Sequence, residues 1–293
     1  MQQRRVIAKS SAKRSRSLAA IVACAGFAAA LIAATAGDGA AAEGAPLRVC
    51  ADPDNMPFSN DKGEGFENKL AELVAGKLDS RLEYSWFPEA TGYVPNTMGA
   101  DACDLVMGYA QGTGLIDDTN PYYHTSYVLV HREDDATLSG VERLSDERLK
   151  DKSIGYFART LPASILAIHG LVGTAKPFEL RAYQSPASAT SAMLGEIAAG
   201  KLDAGILWGP VAGYYALKAN SALKLVPLVK ETAGPRTIYA ITMGVRPNEP
   251  QWKHKINKLI VENQSEINLI LAGYNVPVLD EKGNLVTAAT AER

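Results

Sequence analysis

The stretch LRVCADPDNMPFSN, residues 47–60, joins a strand pattern to a turn pattern. In its first half, Leu47, Val49 and Ala51 alternate with neighbours of the opposite face, which is the period of a half-buried strand. Its second half holds two aspartates, two asparagines and two prolines, all of which favour turns. The stretch therefore predicts a buried strand that ends in an exposed polar loop, and ligands of open α/β sheets bind at such strand ends.

The N-terminus has the order of a secretory signal. Six cations precede an apolar run over residues 18–36, and small residues follow it. Because the run is short and rich in alanine for a membrane span, we predict a signal peptide over residues 1–42, cut after about residue 36 or 42. Arg4 and Arg5 also fit a twin-arginine signal, so the export route stays open, and Cys24 weakly fits a lipoprotein acylation site. We predict a periplasmic protein without stable membrane insertion.

Charge and cysteine content limit the partners of the exported chain. Loss of the N-terminal cations would take the formal net charge from −2 to about −8, which argues against nucleic acid as a partner. Cys50 and Cys103 would then be the remaining cysteines. An oxidising compartment favours a disulfide between them, and two separate buried thiols are the alternative.

The rest of the chain alternates strand and helix patterns. Helical spacing runs from Phe66 to Leu78, and a second helical pattern starts at Pro250 and continues to Leu271. Strands are predicted at residues 82–86, 104–108, 127–131, 153–157 and 204–208. The highly charged stretch 132–152 between two such series is typical of a domain boundary. About 250 residues in this order predict two α/β lobes.

Catalytic and metal motifs are largely missing. Residues 195–202, GEIAAGKL, have the spacing of a phosphate-binding loop, but a helical pattern precedes them and Leu202 replaces the magnesium-binding hydroxyl, so we interpret them as a helix end. Asp52, Asp54 and Glu64 could form an acid/base or cation set, but solvated turn acids are the better interpretation. We predict no catalytic residue, no metal site and no cofactor.

Polar and aromatic residues follow several predicted strands, where parallel strand ends converge on one crevice. We predict that the binding cleft is lined by Asp52, Asn55, Phe58, Trp86, Tyr109, Tyr122, Tyr123, Arg159 and Trp208.

Several separated motifs carry a resemblance to a known family. They are CADPDNMPFSN (50–60), GFENK (65–69), CDLVMG (103–108), PYY (121–123), WGPVAGY (208–214), ITMGVR (241–246) and GYNVP (273–277). In this order they resemble the quinoprotein-dehydrogenase-associated binding proteins, the MxaJ/XoxJ group of methanol oxidation systems. That group is a branch of the family 3 extracellular solute-binding proteins, and the resemblance covers essentially the whole chain after the signal.

The resemblance implies an α/β, two-lobed type II periplasmic binding protein, a clamshell with a central cleft. Lobe 1 would comprise residues 47–132 plus 240–285, lobe 2 residues 133–239, and a flexible tail residues 286–293. Crossover segments would lie near residues 132–136 and 237–239, and the Cys50–Cys103 pair would join neighbouring strands of lobe 1.

The resemblance also implies a non-catalytic accessory protein of a PQQ-dependent methanol dehydrogenase, of the calcium or lanthanide type, with its cytochrome c as a further candidate partner. Amino-acid-binding relatives carry an Arg shortly before their Pro-Tyr motif, whereas residues 111–121 contain no Arg or Lys. The alternatives are a solute receptor of an ABC transporter, with a small-molecule cleft ligand, and a small-acid dehydratase that uses Asp52 and Glu64.

Overall fold

A computed structural model describes residues 44–179, 186–280 and 282–286. The predicted signal peptide, residues 1–42, lies outside these ranges, as does the predicted tail 286–293 apart from Val286. No helix within them combines the length and the hydropathy needed to cross a membrane.

One large mixed sheet runs through both lobes, with the strand order β4-β1-β5-β12-β7-β10-β8-β9. β6 pairs with β12, β11 pairs with β7, and β2 and β3 form a separate hairpin. The strands are β1 Leu47–Ala51, β2 Asp54–Asn55, β3 Ser59–Asn60, β4 Leu82–Trp86, β5 Leu105–Ala110, β6 Asp117–Asp118, β7 Tyr123–Arg132, β8 Ile154–Phe157, β9 Lys176–Phe178, β10 Ala204–Trp208, β11 Leu223–Pro227 and β12 Ile238–Val245.

Helices follow most of the parallel strands, as right-handed crossovers between such strands require. They are α1 Phe66–Lys77, α2 Tyr93–Asn96, α3 Leu161–Ile168, α4 Pro186–Ala198, α5 Gly209–Ala219, α6 Pro250–Glu262 and α7 Gln264–Gly273. Short 3-10 helices lie at Met98–Ala100, Ala136–Leu138 and Glu147–Leu149.

The long strand β7 joins the two halves of the sheet. Its residues Tyr123–Ser126 pair with β12, whereas Tyr127–His131 pair with β10. We call the part built on β4, β1, β5 and β12 lobe 1, and the part built on β10, β8, β9 and β11 lobe 2. The strand thus changes partners between Ser126 and Tyr127, ahead of the crossover expected near residue 132. The residue limits predicted for the lobes stay a prediction.

Each lobe has its own apolar core, as a sheet covered by helices requires. In lobe 1, Val49, Phe66 and Leu105 are fully buried where α1, α6 and α7 cover the sheet. In lobe 2, separate clusters lie on the two sheet faces, one around Leu129 and one around Met193.

Two local features differ from the sequence pattern. The charged stretch 132–152 is packed on lobe 2, because Leu138, Leu144 and Leu149 anchor it in the lobe 2 core. The single helix expected from Pro250 to Leu271 is divided at Asn263, whose side-chain Nδ2 donates to the Leu259 carbonyl at 2.8 Å. An Asn side chain competes in this way with the helical backbone and favours a helix end.

Candidate functional site

The loop after β1 forms one lip of the cleft, and its polar side chains are held by the protein itself. The Asp52 carboxylate accepts hydrogen bonds from the backbone N–H of Asp54 (2.8 Å) and of Glu89 (2.6 Å). Asn55 Nδ2 donates to Glu89 Oε2 at 2.8 Å. These bonds join the ends of β1 and β4, so Asp52 and Asn55 first of all fix the shape of the lip.

A disulfide between Cys50 and Cys103 ties β1 to the turn that precedes β5. Both half-cystines are buried, with Cα atoms 5.5 Å apart. The alternative of two free thiols is thereby excluded. Because β1 and β5 are adjacent parallel strands, the bond cross-links the two strands whose carboxyl ends form the lip and the floor of the cleft.

Glu67, in the first turn of α1, lies beside Gly108 near the carboxyl end of β5, and we call this part of lobe 1 the floor. A Cβ added to Gly108 would lie 1.8 Å from Glu67 Oε1, and Gly108 has a φ of +55°. A larger residue at this position would need both a strained left-handed backbone and a shift of the Glu67 carboxyl. Among the residues that the structure describes, none donates a hydrogen bond to the Glu67 carboxyl or forms an ion pair with it.

Burial, together with the neighbouring charge of Glu89, raises the pKa of Glu67 well above its usual range. The pKa of Glu89 is raised as well, because the surrounding protein desolvates its carboxyl and Asp52 adds a like charge. Three carboxylates therefore lie on one side of the cleft. A ligand that brings a positive charge or a hydrogen-bond donor would stabilise the ionised form of these carboxyl groups.

Two buried phenols belong to the same floor. Tyr93 is 7% exposed and Tyr123 4% exposed, and neither hydroxyl has a hydrogen-bond partner within the described part of the chain. Burial raises the pKa of both, with a further contribution from the Glu67 charge in each case. The fully buried side-chain atoms without a hydrogen-bond partner are those of Asn68, Ser126 and His131 within the described ranges, so the two hydroxyls and the Glu67 carboxyl keep contact with solvent. Together they make a polar floor that is open to water or to a ligand.

Several residues predicted for the cleft are instead packed into lobe 1. Tyr122 is buried, and its hydroxyl accepts the N–H of Gly108 at 3.1 Å. The Tyr123 ring packs in the same core, and only its hydroxyl belongs to the floor. Phe58 packs on Phe66 with ring centroids 5.3 Å apart. Tyr122 and Phe58 therefore support the floor from behind. The physical reason is that β7 starts at Tyr123, four residues before the expected strand, and this turns the tyrosines into the sheet core.

The lobe 2 wall is aromatic. Trp208, at the end of β10, makes edge contacts with Tyr127 and Tyr239, with ring centroids 5.2 and 5.4 Å away. It borders a mainly apolar cavity of about 190 Å³, lined among others by Phe157, Thr160 and Val211. Trp208 is the predicted residue that the structure places in a cavity of lobe 2.

The remaining predicted residues have separate surroundings. Arg159 is 83% exposed and lies 3.6 Å from Glu179. Trp86 is 37% exposed and stacks on Tyr84 at the outer edge of the sheet. Tyr109 packs against the cluster around the disulfide. Their role in binding stays a prediction.

The side chain of Arg236 reaches the segment 111–121, which contains no Arg or Lys of its own. Arg236 Nη2 donates to the Gln111 carbonyl at 3.2 Å, and its guanidinium lies 4.9 Å from the centre of the Tyr239 ring. No local sequence pattern predicts this contact, since the two residues are 125 positions apart in the chain. The position of Glu67 could have been predicted from the sequence, because Gly65 precedes the helix start and Glu67 falls in the first turn of α1.

Across the described ranges, no three His, Cys, Asp or Glu side chains are grouped as metal ligands would be. Of the three acids Asp52, Asp54 and Glu64, Glu64 accepts a hydrogen bond from Asn60 Nδ2 at 2.8 Å and Asp54 is exposed.

The arrangement of two α/β lobes, a central cleft and a shared crossover strand defines a type II periplasmic binding protein. The periplasmic binding protein XoxJ from Methylobacterium extorquens AM1 is 38% identical, covers 80% of this chain and all of its own, and superposes with a TM-score of 0.65. MxaJ from Methlophaga aminisulfidivorans MPT is 26% identical over the same shares, with a TM-score of 0.67.

The curated proteins agree with the solved structures. Protein MoxJ of Methylorubrum extorquens is 27% identical over 83% of this chain and 85% of its own length. No family model matches the chain. On the identity and coverage of XoxJ, the chain belongs to the MoxJ/MxaJ/XoxJ family of periplasmic binding proteins, of the family 3 solute-binding type. XoxJ is described as a binding protein. The solved structure of an ancestral cationic amino acid solute-binding protein, at 22% identity, supports the fold alone.

Proposed function

We propose that this protein is a periplasmic, non-catalytic accessory protein of a PQQ-dependent methanol oxidation system, which binds the dehydrogenase and assists or activates it. Membership of the MoxJ/MxaJ/XoxJ family supports an association with methanol oxidation. The observation that carries the binding role is the cleft floor, where Glu67, Tyr93 and Tyr123 offer polar groups that no described residue satisfies.

The chemistry of the cleft suggests what such a partner would present. A floor of three neighbouring carboxylates favours a cationic side chain, and the aromatic wall at Trp208 favours an apolar neighbour beside it. A protruding segment of the dehydrogenase with a Lys or Arg next to an apolar residue would satisfy both. The lip, fixed by the Cys50–Cys103 bond, would position that segment without rearrangement.

The test is a binding and activation assay with purified PQQ methanol dehydrogenase of the calcium and the lanthanide type, and with its cytochrome c. We expect a complex with one dehydrogenase and a higher rate after reconstitution with metal and PQQ. Glu67→Gln should weaken the complex, whereas Glu72→Gln, on the exposed face of α1, should not. Absence of both complex and activation with every dehydrogenase from the same cell would refute the proposal.

The cleft floor also favours a second candidate, a receptor that carries a small cationic solute to an ABC transporter. A solute at about 100 times its dissociation constant would add about 2.7 kcal/mol to the free energy of unfolding. Thermal unfolding against a panel of amines and guanidines therefore separates the two functions. A shift that Glu67→Gln abolishes, without any dehydrogenase complex, would favour the receptor.

A further inference from the structure

Helix α5 of lobe 2 lies directly against lobe 1, along a contact that we call the α5 seam. It joins Gly209, Gly213, Tyr214 and Tyr215 of the helix to two lobe 1 segments, the lip loop at Met56–Glu64 and the chain after α7 at Tyr274–Pro277.

The inner part of the seam is a contact between backbones. A Cβ added to Gly213 would lie 1.9 Å from the Asn275 carbonyl oxygen, and one added to Gly209 would lie 2.6 Å from the Ser126 carbonyl oxygen. Residues four apart share one face of a helix, so the two glycines open a groove for the lobe 1 chain. Asn275, at a φ of +54°, closes the contact by donating from Nδ2 to the Gly213 carbonyl at 3.1 Å.

The outer part of the seam is aromatic and reaches the lip. Tyr214 stacks on Tyr274 with centroids 5.9 Å apart, and Tyr274 is itself fixed to lobe 1 because its hydroxyl donates to the Glu64 carbonyl at 2.6 Å. The Tyr215 hydroxyl donates to the Met56 carbonyl at 3.3 Å. From Gly209 to Tyr215 the helix rises about 9 Å.

The position of the seam decides what it does. Gly209 touches Ser126, the residue at which β7 changes lobes, so the seam starts at the crossover. Tyr215 reaches the lip loop, so the seam ends at the mouth of the cleft. A hinge rotation that opened the lobes would have to separate the outer contacts, because they lie away from the crossover.

We propose that the α5 seam keeps the two lobes closed on this side without a ligand, so that the cleft is a preformed surface instead of a trap that closes on its cargo. This goes beyond the proposed function, because it concerns the conformation of the unliganded protein and holds whichever partner is bound. A cavity of about 360 Å³ at the outer end of the seam, between Asn55 and Tyr215, belongs to the same fixed shape.

The experiment measures the interlobe distance by pulsed electron spin resonance. Spin labels are placed at the exposed positions Lys62→Cys in lobe 1 and Lys218→Cys in lobe 2, in protein refolded from denaturant with its disulfide intact to remove any bound molecule. We expect a single narrow distance distribution that does not change when periplasmic extract is added. A broad or long distribution that contracts with extract would overturn the proposal.

Gly213→Ala should force the seam apart and add a population at longer distance, whereas the control Gly195→Ala, on α4 with no atom within 4 Å of the added Cβ, should leave the distribution unchanged. If Gly213→Ala does not fold, Asn275→Gly combined with Tyr215→Phe removes both bonds across the seam while it preserves the backbone at residue 275. A folded seam variant with the wild-type distribution would also overturn the proposal. Dehydrogenase binding is measured separately, so loss of the proposed function and loss of the seam are distinguishable.

Discussion

The surrounding protein desolvates the carboxyl of Glu67 in lobe 1 and that of Glu231 in lobe 2, but the two groups have opposite hydrogen-bond surroundings. In lobe 2, the Glu231 side chain is 2% exposed and accepts the N–H groups of Leu144 (2.7 Å) and Ala233 (2.8 Å), with His169 Nε2 at 3.1 Å. In lobe 1, Glu67 has no such donor among the described residues.

The pKa values follow this difference. Burial by itself would raise the pKa of Glu231, but the two backbone donors and His169 bring it below its usual range. Burial raises the pKa of Glu67, and Glu89 adds to the effect. A satisfied buried carboxylate holds a fold together, whereas an unsatisfied one lowers stability and is retained where a site needs it. Glu231 therefore stabilises the fold, whereas Glu67 is the carboxyl that we propose for binding.

The largest effect is expected from the disulfide, which stiffens lobe 1 and has no counterpart among the described residues of lobe 2. Cys50→Ala with Cys103→Ala opens a loop with a sequence separation of 53 residues. Loop-closure entropy predicts a loss of about 4 kcal/mol in the free energy of unfolding. Urea denaturation measures it, and hydrogen exchange should locate the loss in β1 and β5. Equal deprotection of lobe 2 would show that the lobes do not differ in this respect.

The second-largest loss in the free energy of unfolding is expected for Glu231→Ala. This substitution leaves two backbone N–H donors and His169 without their acceptor in a buried place. We expect a loss of about 2–4 kcal/mol in chemical denaturation at pH 7. Since the folded pKa of Glu231 is lowered, this stabilisation is present above the unfolded pKa of about 4.3 and disappears as the pH falls through the folded value. Glu147→Ala, at an exposed ion pair of the same lobe, should change stability little.

Gly108→Ala tests the close approach of Glu67 to the cleft floor. The methyl group would meet Glu67 Oε1 and would also require a left-handed alanine, so we expect a loss of about 1–3 kcal/mol. Gly112→Ala is the matched control, because Gly112 has a φ of +89° but no atom within 4 Å of the added Cβ. If thermal unfolding gives the two variants the same loss, the Glu67 contact contributes nothing.

Glu67→Gln should have the smallest effect, and it should be a gain. Removal of a desolvated carboxyl without a hydrogen-bond donor is expected to add about 0.5–2 kcal/mol to the free energy of unfolding above the folded pKa of Glu67. Denaturation of the variant beside Glu72→Gln measures this gain. A loss of stability instead would mean that Glu67 has a partner in solution and is structural.

The pH dependence sharpens the same test. A carboxyl whose folded pKa is raised binds more protons in the folded state, so the stability of the wild type falls as the pH rises from the unfolded value of about 4.3 through the folded one. The advantage of Glu67→Gln should therefore be largest above the folded pKa and should vanish below about pH 4. An advantage that is constant with pH would exclude ionisation as its cause.

The sequence by itself determined the alternation of strands and helices, the two-lobed α/β class and the family, and it favoured the cysteine pair. These depend on local periodicity, on a short list of motifs and on the compartment, all of which are written along the chain. The strands at residues 82–86 and 204–208 and the helix from Phe66 agree with their predicted limits to within a residue.

Only the tertiary structure decided which polar groups meet. Tyr122 became a core residue because β7 starts earlier than its pattern indicates, Arg236 reached Gln111 across 125 residues, and Glu67 came to lie against Gly108. The same holds for Gly213 and Asn275, which bring the lobes together. Such contacts depend on the burial and on the hydrogen-bond partners that distant segments supply, and no local period of the sequence encodes them.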